Sequence, residues 1–381
     1  MEEKDVFEIK KSKKWIFGLI FILILLGAIG YGAYYFIQNN DPKKVLVRSS
    51  MELINDIKTM VGVEENYDKI NIDSKVSLEV SSSNEEDMGQ LYFIINKFNL
   101  NMYYGYDKKN FYLDLVGLYD NEDLGNITLF SNNKDNYLYL NDVYDKVIKI
   151  GQEVSSVDTN SEDYKKMLDY EKDAFIKGYE KINLSSKYVK LAGRKVREIK
   201  INNIEEVFSV IYNELINNKD YMNLSSKIFN ISGENLKNEF ENYKDLLDDL
   251  DIRVYLSMLK NKFIKLEITD DKEEYSLERE NNTFSIKEFK NEIILNKLDI
   301  NFNESKIELN FDDIENSLNI KVKLDYKLDY DSEIKSKDIS SSIDYSKMND
   351  KDLENIMNKF MNKKGFMSLM RNINGEEKTE M

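Results

Sequence analysis

Residues 15–37, WIFGLIFILILLGAIGYGAYYFI, form an uncharged apolar run bounded by Trp15 and Ile37. As a helix the run spans about 34 Å, enough to cross a hydrocarbon core of roughly 30 Å. This one segment decides where the rest of the chain must fold. A cleaved secretory signal has an apolar region of only about 7 to 15 residues before a small-residue site. Ala28 and Gly30 could mimic such a site, but the run continues past them and ends on Tyr31, Tyr34, Tyr35 and Phe36, aromatics suited to the head-group boundary. The sequence therefore predicts a retained signal-anchor helix in contact with the lipid bilayer.

Lys10, Lys11, Lys13 and Lys14 crowd the near side of the run, whereas Asp41 precedes Lys43, Lys44 and Arg48 on the far side. The positive-inside bias then makes residues 1–14 a cytoplasmic tail, 15–37 the single membrane pass and 38–381 an extracytoplasmic domain at the cell membrane. Pro42, the one proline, stands where a helix leaving the membrane is expected to stop. With no cysteine, disulfide staples, Cys-metal sites and a lipidated Cys are excluded. The abundance of Lys, Asn, Ile and Tyr suits an AT-rich bacterial genome and an envelope without disulfides. Net charge is −16, and the first fourteen residues carry five lysines against four carboxylates, so the acidity lies in the exported part. Such a field repels phosphate backbones, and nucleic acid is not an expected partner.

Past the anchor the hydrophobic pattern alternates between two periods. Ile70, Ile72, Val76, Leu78 and Val80 share one parity against Asn71, Asp73, Lys75, Ser77 and Glu79, the mark of a half-buried strand. Phe98, Leu100, Met102, Tyr104 and Tyr106 repeat it, with shorter runs to about residue 150 separated by polar turns such as 107–110, 120–123 and 131–135. Closely spaced strands of this kind predict an antiparallel meander over about 68–150.

Residues 161–250 change to helical spacing. Tyr164, Met167, Leu168, Ala174, Phe175, Tyr179 and Ile182 line one face after Ser161 as N-cap. A short strand at 194–201 is followed by a helix from about Ile204, with Asn203 and Glu206 at capping-box spacing, and by another after Ser232 carrying Leu236, Phe240, Tyr243, Leu247 and Leu250. Strands resume over 251–330 as a second meander. Its last member alternates through Leu318, Ile320, Val322, Leu324, Tyr326, Leu328 and Tyr330, about 40 Å of strand, which suits a strongly curved sheet. A final helix runs from Asp350 to about Lys363. The expected fold class is α+β: a transmembrane helix, then a curved antiparallel β-sheet wrapped as a half-barrel around a few helices.

In its order of parts the chain resembles uncharacterised single-pass proteins of low-GC Gram-positive bacteria whose exported part is a LolA/LppX-like half-barrel. The parts that carry the resemblance are the Lys-rich tail and anchor, a helix near residues 42–61, the turn-rich NNKDNYLYLNDVYDKVIKI ending at Ile150, the helical block INNIEEVFSVIYNELI beginning at Ile201, a second meander and a closing helix. The resemblance implies a half-barrel fold and supplies no catalytic residues. The chain lacks the acylated Cys of lipoprotein members.

Absence of histidine removes Ser-His-Asp and Cys-His triads, histidine zinc sites and the commonest general base. Three Ser-x-x-Lys matches, at Ser131, Ser257 and Ser332, are what chance gives in a Lys-rich chain. The acidic clusters at 120–123, 248–251, 270–274 and 329–331 lack calcium-loop spacing and are read as solvated loops. Tyr103, Tyr104, Tyr106, Tyr112, Tyr137 and Tyr139 could make a sugar-stacking platform, although strand propensity already accounts for them. The Met-rich tail, with Met348, Met357, Met361, Met367 and Met370, is read first as core packing and second as a partner-binding helix. No catalytic residue, metal site or cofactor is expected. The function expected is non-enzymatic binding of a hydrophobic ligand, or of an envelope protein partner, in a groove lined by Phe98, Leu100, Met102, Tyr104, Ile320, Val322 and Leu324; the alternative is a structural or scaffolding module of the cell envelope without a small-molecule ligand.

Overall fold

The computed structural model describes residues 41–63, 68–82, 89–107, 110–132, 135–152, 161–229, 234–235, 237–238, 250–270 and 273–374. The expected tail and anchor lie outside these residues, as does most of the helix expected after Ser232. Among the described residues no helix is long and apolar enough to cross a membrane.

Among the described residues the chain is α+β, with sixteen strands in a large open sheet and a few helices. Helix α1 (Pro42–Val61) leads to β1 (Lys69–Ser82) and the short helix α2 (Gly89–Ile95). Strands β2 (Phe98–Asp107), β3 (Asn110–Tyr119), β4 (Glu122–Asn132), β5 (Asp135–Asn141) and β6 (Ile148–Gln152) follow as a meander. Helix α3 (Glu162–Lys181), the hairpin β7 (Leu184–Leu191) and β8 (Arg194–Ile201), and helices α4 (Ile204–Asn217) and α5 (Lys219–Phe229) come next. The second meander holds β9 (Asp251–Ser257), β10 (Phe263–Thr269), β11 (Glu273–Glu280), β12 (Thr283–Lys290), β13 (Ile293–Asn303), β14 (Lys306–Asp313) and β15 (Leu318–Asp329). The two-residue β16 (Ile343–Asp344) and helices α6 (Asp350–Met361) and α7 (Lys364–Ile373) close the chain. Two-residue hairpin turns carry the positive φ that such turns require, as at Asp120 and Asn121 (54° and 62°).

These elements group into two compact units. One holds the described residues up to 57, those between 157 and 281, and 285–294. Its helices start where local chemistry allows. Pro42 opens α1 at a position whose N–H needs no partner, behind Asp41, whose carboxylate accepts from the Lys43 N–H at 2.9 Å. As expected, Ser161 caps α3, accepting from the Tyr164 N–H at 3.1 Å, with Glu162 and Asp163 in the first turn. The Asn203–Glu206 capping box does not form. Asn203 makes no side-chain cap bond, because its oxygen accepts from the Asn183 N–H and its amide donates to Lys181 O and to Glu206.

Ile204, Val207, Phe208, Ile211 and Leu215 give α4 a continuous buried face. Gly178 in α3 lies against it, and a Cβ there would meet the Ile211 side chain and come within 3.1 Å of Val207 O. In the strands of this unit one parity is apolar: Ile199, Val254, Leu266 and Leu277 are paired in one buried row. The other parity holds Glu198, Tyr255, Lys265 and Glu278, and Lys265 reaches Glu267 at 3.0 Å. Burial pushes the Tyr255 hydroxyl up to about 12. Strand β7 and helix α5 were not expected. Most of β7 is exposed, and it lacks the one-sided apolar pattern that would reveal it.

The second unit holds residues from 58 to the end of β6, 282–284, and 295 onward. Here β1 is central, paired with β2 on one side and β15 on the other. The pairing continues outward through β3, β4, β5 and β6 on the β2 side and β14 and β13 on the β15 side. β16 joins β6 in parallel. Helix α6 begins on a capping box of Asn349 and Asp352.

Gly178→Ala is expected to cost about 1–3 kcal/mol through overpacking against Ile211, measured by urea unfolding; an unchanged midpoint would show that the helices separate freely. Burial also raises the pKa of Glu171, to which the Tyr221 hydroxyl donates at 3.1 Å. A raised carboxyl favours the fold fully below its ordinary value of 4.5 and loses that contribution as pH rises through the folded-state value. Glu171→Gln should therefore flatten the decline in stability from pH 5 to 7.5 relative to the parent chain, and parallel pH profiles would refute this.

Candidate functional site

Directly paired residues of an antiparallel sheet project from the same face, so register decides which expected groove residues meet. Val76 pairs with Leu100 and with Leu324, and Leu324 pairs with Ile307, itself opposite Phe302. The next row joins Leu78, Val322, Leu309 and Ile300, and the one after it Val80, Ile320, Phe311 and Leu298. Tyr104 lies opposite Ile72 and Met102 opposite Ser74, while Phe98 shares their parity on β2. Phe98, Leu100, Met102, Tyr104, Ile320, Val322 and Leu324 thus lie on one apolar face of this unit's sheet, and each of them is half-buried. The face is wider than expected, since β13 and β14 extend it with residues whose alternation is equally regular.

The opposite face is built differently. Tyr103, Tyr112, Phe130, Tyr137 and Val147 form a buried cluster, with ring centroids 5.8, 6.0 and 5.3 Å apart along the aromatic series. The segment following β15 covers it. Asn71 donates to Ser332 O at 2.8 Å, the Lys335 N–H donates to the Tyr103 hydroxyl at 3.2 Å, and that hydroxyl donates to Asn71 Oδ1. Ile339 packs on the cluster, while the ammonium groups of Lys335 and Lys337 sit 3.7 and 4.4 Å from the centres of the Tyr103 and Tyr139 rings. Gly105 permits the close approach, because a Cβ there would lie 3.1 Å from Ile334. The Ile343 N–H, donating to Val147 O at 2.8 Å, ties the far end of the segment down. Burial raises the Tyr103 and Tyr112 hydroxyls above their ordinary value.

The tyrosines pack as strand residues rather than as a stacking platform, for two reasons. Tyr104 and Tyr106 lie on the apolar face, away from Tyr103, Tyr112, Tyr137 and Tyr139. Tyr103, Tyr112 and Tyr137 are also buried, so they offer no open stacking surface.

Beside the covered strip an open hollow of about 600 Å³ crosses β3, β2, β1 and β15, with Lys75, Lys306, Lys327 and Lys335 and Asp73, Asp114 and Asp325 in its lining. Lys306 binds Asp325 at 2.9 Å and Asp114 accepts from Thr128 at 2.7 Å. Its polar residues come from strands distant in sequence, so no local motif announced it.

Among the described residues, which leave out Lys134 of the Ser131 match and parts of the 248–251 and 270–274 clusters, the other chemistry considered from sequence does not assemble. The Ser332 hydroxyl donates to Asp329 while Lys335 lies over Tyr103, and Ser257 accepts from the Lys262 N–H. Asp120 and Asp123 are ion-paired with Lys97 and Lys363, and Asp251 with Lys200 and Arg253. Among the described residues no group of three or more acidic side chains is placed to hold a metal ion. Met348 is half-buried against the cluster of Leu140, Val143, Tyr144, Ile148 and Ile356, but Met357, Met361, Met367 and Met370 are exposed, contrary to the core-packing expectation for this tail.

No family model and no curated protein matches the chain. Among solved structures it is similar to the one described as MucB in complex with MucA(peri), over 73% of this chain and 94% of that one, at 5% identity and a TM-score of 0.12. A likeness so slight carries no argument about fold or partner.

Tyr103→Phe removes the hydroxyl that joins Asn71 to the covering segment. It should cost about 1–3 kcal/mol and speed amide hydrogen exchange at Lys335 selectively over the strand amides of β3. Unchanged exchange there would show that the Tyr103 hydroxyl does not hold the segment down.

Proposed function

We propose that this is a non-enzymatic, membrane-tethered extracytoplasmic protein whose sheet, curved as a half-barrel around helices, binds a hydrophobic ligand on its apolar face. The observation that carries the proposal is the register of β2, β1, β15, β14 and β13, which sets rows of apolar side chains next to one another and leaves the seven groove residues half-buried rather than sealed. An apolar surface of this extent marks a binding site more often than a solvated sheet face. The uncharged run at residues 15–37 supports the tether, and the lysines before it support the orientation.

A second function draws on the C-terminal helices. Leu353, Met357 and Met361 on α6, and Met367, Met370 and Ile373 on α7, are exposed along helical stripes. Such a surface suits the scaffolding alternative, in which the protein contacts other envelope proteins without a small-molecule ligand.

Intact cells expressing the full chain would be given a diazirine-bearing fatty acid, irradiated, and split for added protease and for mass mapping of labelled peptides. Protease should remove the chain beyond residue 37. Label should appear on Phe98–Met102 and Ile320–Leu324 peptides, and fall at least about fivefold in Leu100→Asp and Val322→Asp, which place a charge on the apolar face. Protection of the chain from protease would overturn the topology. Label confined to residues 15–37, or unchanged in both variants, would overturn the ligand and leave the scaffolding role.

A further inference from the structure

In a chain of net charge −16, the hairpin of β7 and β8 carries six cations, Lys187, Lys190, Arg194, Lys195, Arg197 and Lys200, against one carboxylate, Glu198. Internal pairing uses some of them: Lys187 reaches Glu198 at 3.0 Å, Lys200 reaches Asp251 at 2.8 Å, and the Arg197 Nε donates to Ser186. Lys190, Arg194 and Lys195 are left exposed around the tight turn at Ala192 and Gly193. Lys190 and Lys195 are direct cross-strand partners. Like charges set opposite one another on neighbouring strands weaken the pairing, a weakening that the Lys195 ammonium, 5.4 Å from the centre of the Tyr188 ring, offsets in part and an added anion would relieve further.

β7 is also the terminal strand of the sheet order, with β8 on one side and, among the described residues, no strand on the other. Its eight residues contain no proline, and Tyr188 beside the cations is 57% exposed. A free edge offers a row of main-chain donors and acceptors that another extended segment satisfies.

We infer that the β7 edge is a docking site for an extended, acidic peptide segment of a protein partner, which adds a strand to the sheet and sets carboxylates beside Lys190 and Lys195. A second copy of this hairpin fits poorly, because it would double the uncompensated positive charge. An anionic membrane surface would attract the cations but cannot supply the ladder of hydrogen bonds. The site belongs to the other unit from the apolar face and does not depend on a hydrophobic ligand being bound there.

The test uses the full chain in nanodiscs of zwitterionic phosphatidylcholine and a fluorescein-labelled alternating peptide of five Glu-Val repeats. Its controls are five Lys-Val repeats and a Glu-Val peptide N-methylated at alternate residues. The Glu-Val peptide is expected to bind, to weaken with added salt, and to slow amide exchange across residues 184–191. Lys190→Gln with Lys195→Gln should lower its affinity about fivefold and the double change to Glu at least about tenfold, with unchanged circular dichroism in the Gln pair. N-methylation should abolish binding. Equal binding of the N-methylated peptide would mean simple attraction of a polyanion and overturn the inference. So would unchanged affinity in both double variants, or capture of phosphatidylglycerol vesicles through these lysines with no peptide-induced slowing of exchange.

Discussion

The antiparallel pairing of β1 with β15 is the contact on which the second unit depends. It aligns twelve residue pairs, from Asn71 with Asp329 to Ser82 with Leu318, between segments near opposite ends of the described chain. Loop-closure entropy grows only slowly with the length enclosed, so a long excursion between the two strands is thermodynamically tolerable, although such non-local pairing folds slowly. Because strand side chains alternate with a period of two, the same register also sorts the faces. A slip by one residue would place Lys323 and Lys321 among Val76, Leu78 and Val80. The Lys323–Glu79 ion pair and the Tyr326 hydroxyl donating to Val61 O at 2.8 Å sit on opposite faces and bind the same alignment.

Regular alternation made most of the sheet readable. Where apolar and polar residues alternate regularly, as in β1 and β15, residue type follows parity closely enough to assign each side chain a side. That is why the seven groove residues, chosen from sequence, come together on one face. Alternation could not tell which of two tyrosines in a Tyr-Tyr pair faces which way. Tyr103 and Tyr104 serve different faces, and Tyr103 is decided by Asn71 and the segment after β15, which lies far away in sequence.

The elements that escaped the pattern share a physical cause. Edge strand β7 buries little, so selection for an apolar side is weak along it. Helices α2 and α7 are shorter than three turns and give little periodicity to count. At Asn203 the local signal was sound, with an Asn three residues before a Glu, but tertiary contacts with Asn183 and Lys181 outcompeted the cap. The hollow and the cation cluster of the β7–β8 hairpin required register rather than sequence proximity, since Lys190 and Lys195 become a repelling pair only once the turn at Ala192 and Gly193 folds them opposite each other.

The two faces of the β1-centred sheet also differ in what it would cost to expose them. An aromatic side chain of the Tyr103–Tyr137 strip buries about 150–250 Å², worth roughly 4–6 kcal/mol each at about 25 cal/mol per Å², an upper bound. Lifting the covering segment to present these rings to a sugar would forfeit part of that stabilisation and break the Asn71, Tyr103 and Val147 hydrogen bonds as well. Side chains such as Leu100, Val322 and Leu324 are already half-exposed, so a ligand placed on them displaces water from apolar surface without first dismantling a packed cluster. The energetic asymmetry favours an apolar guest on the β2–β15 face over a carbohydrate on the aromatic one.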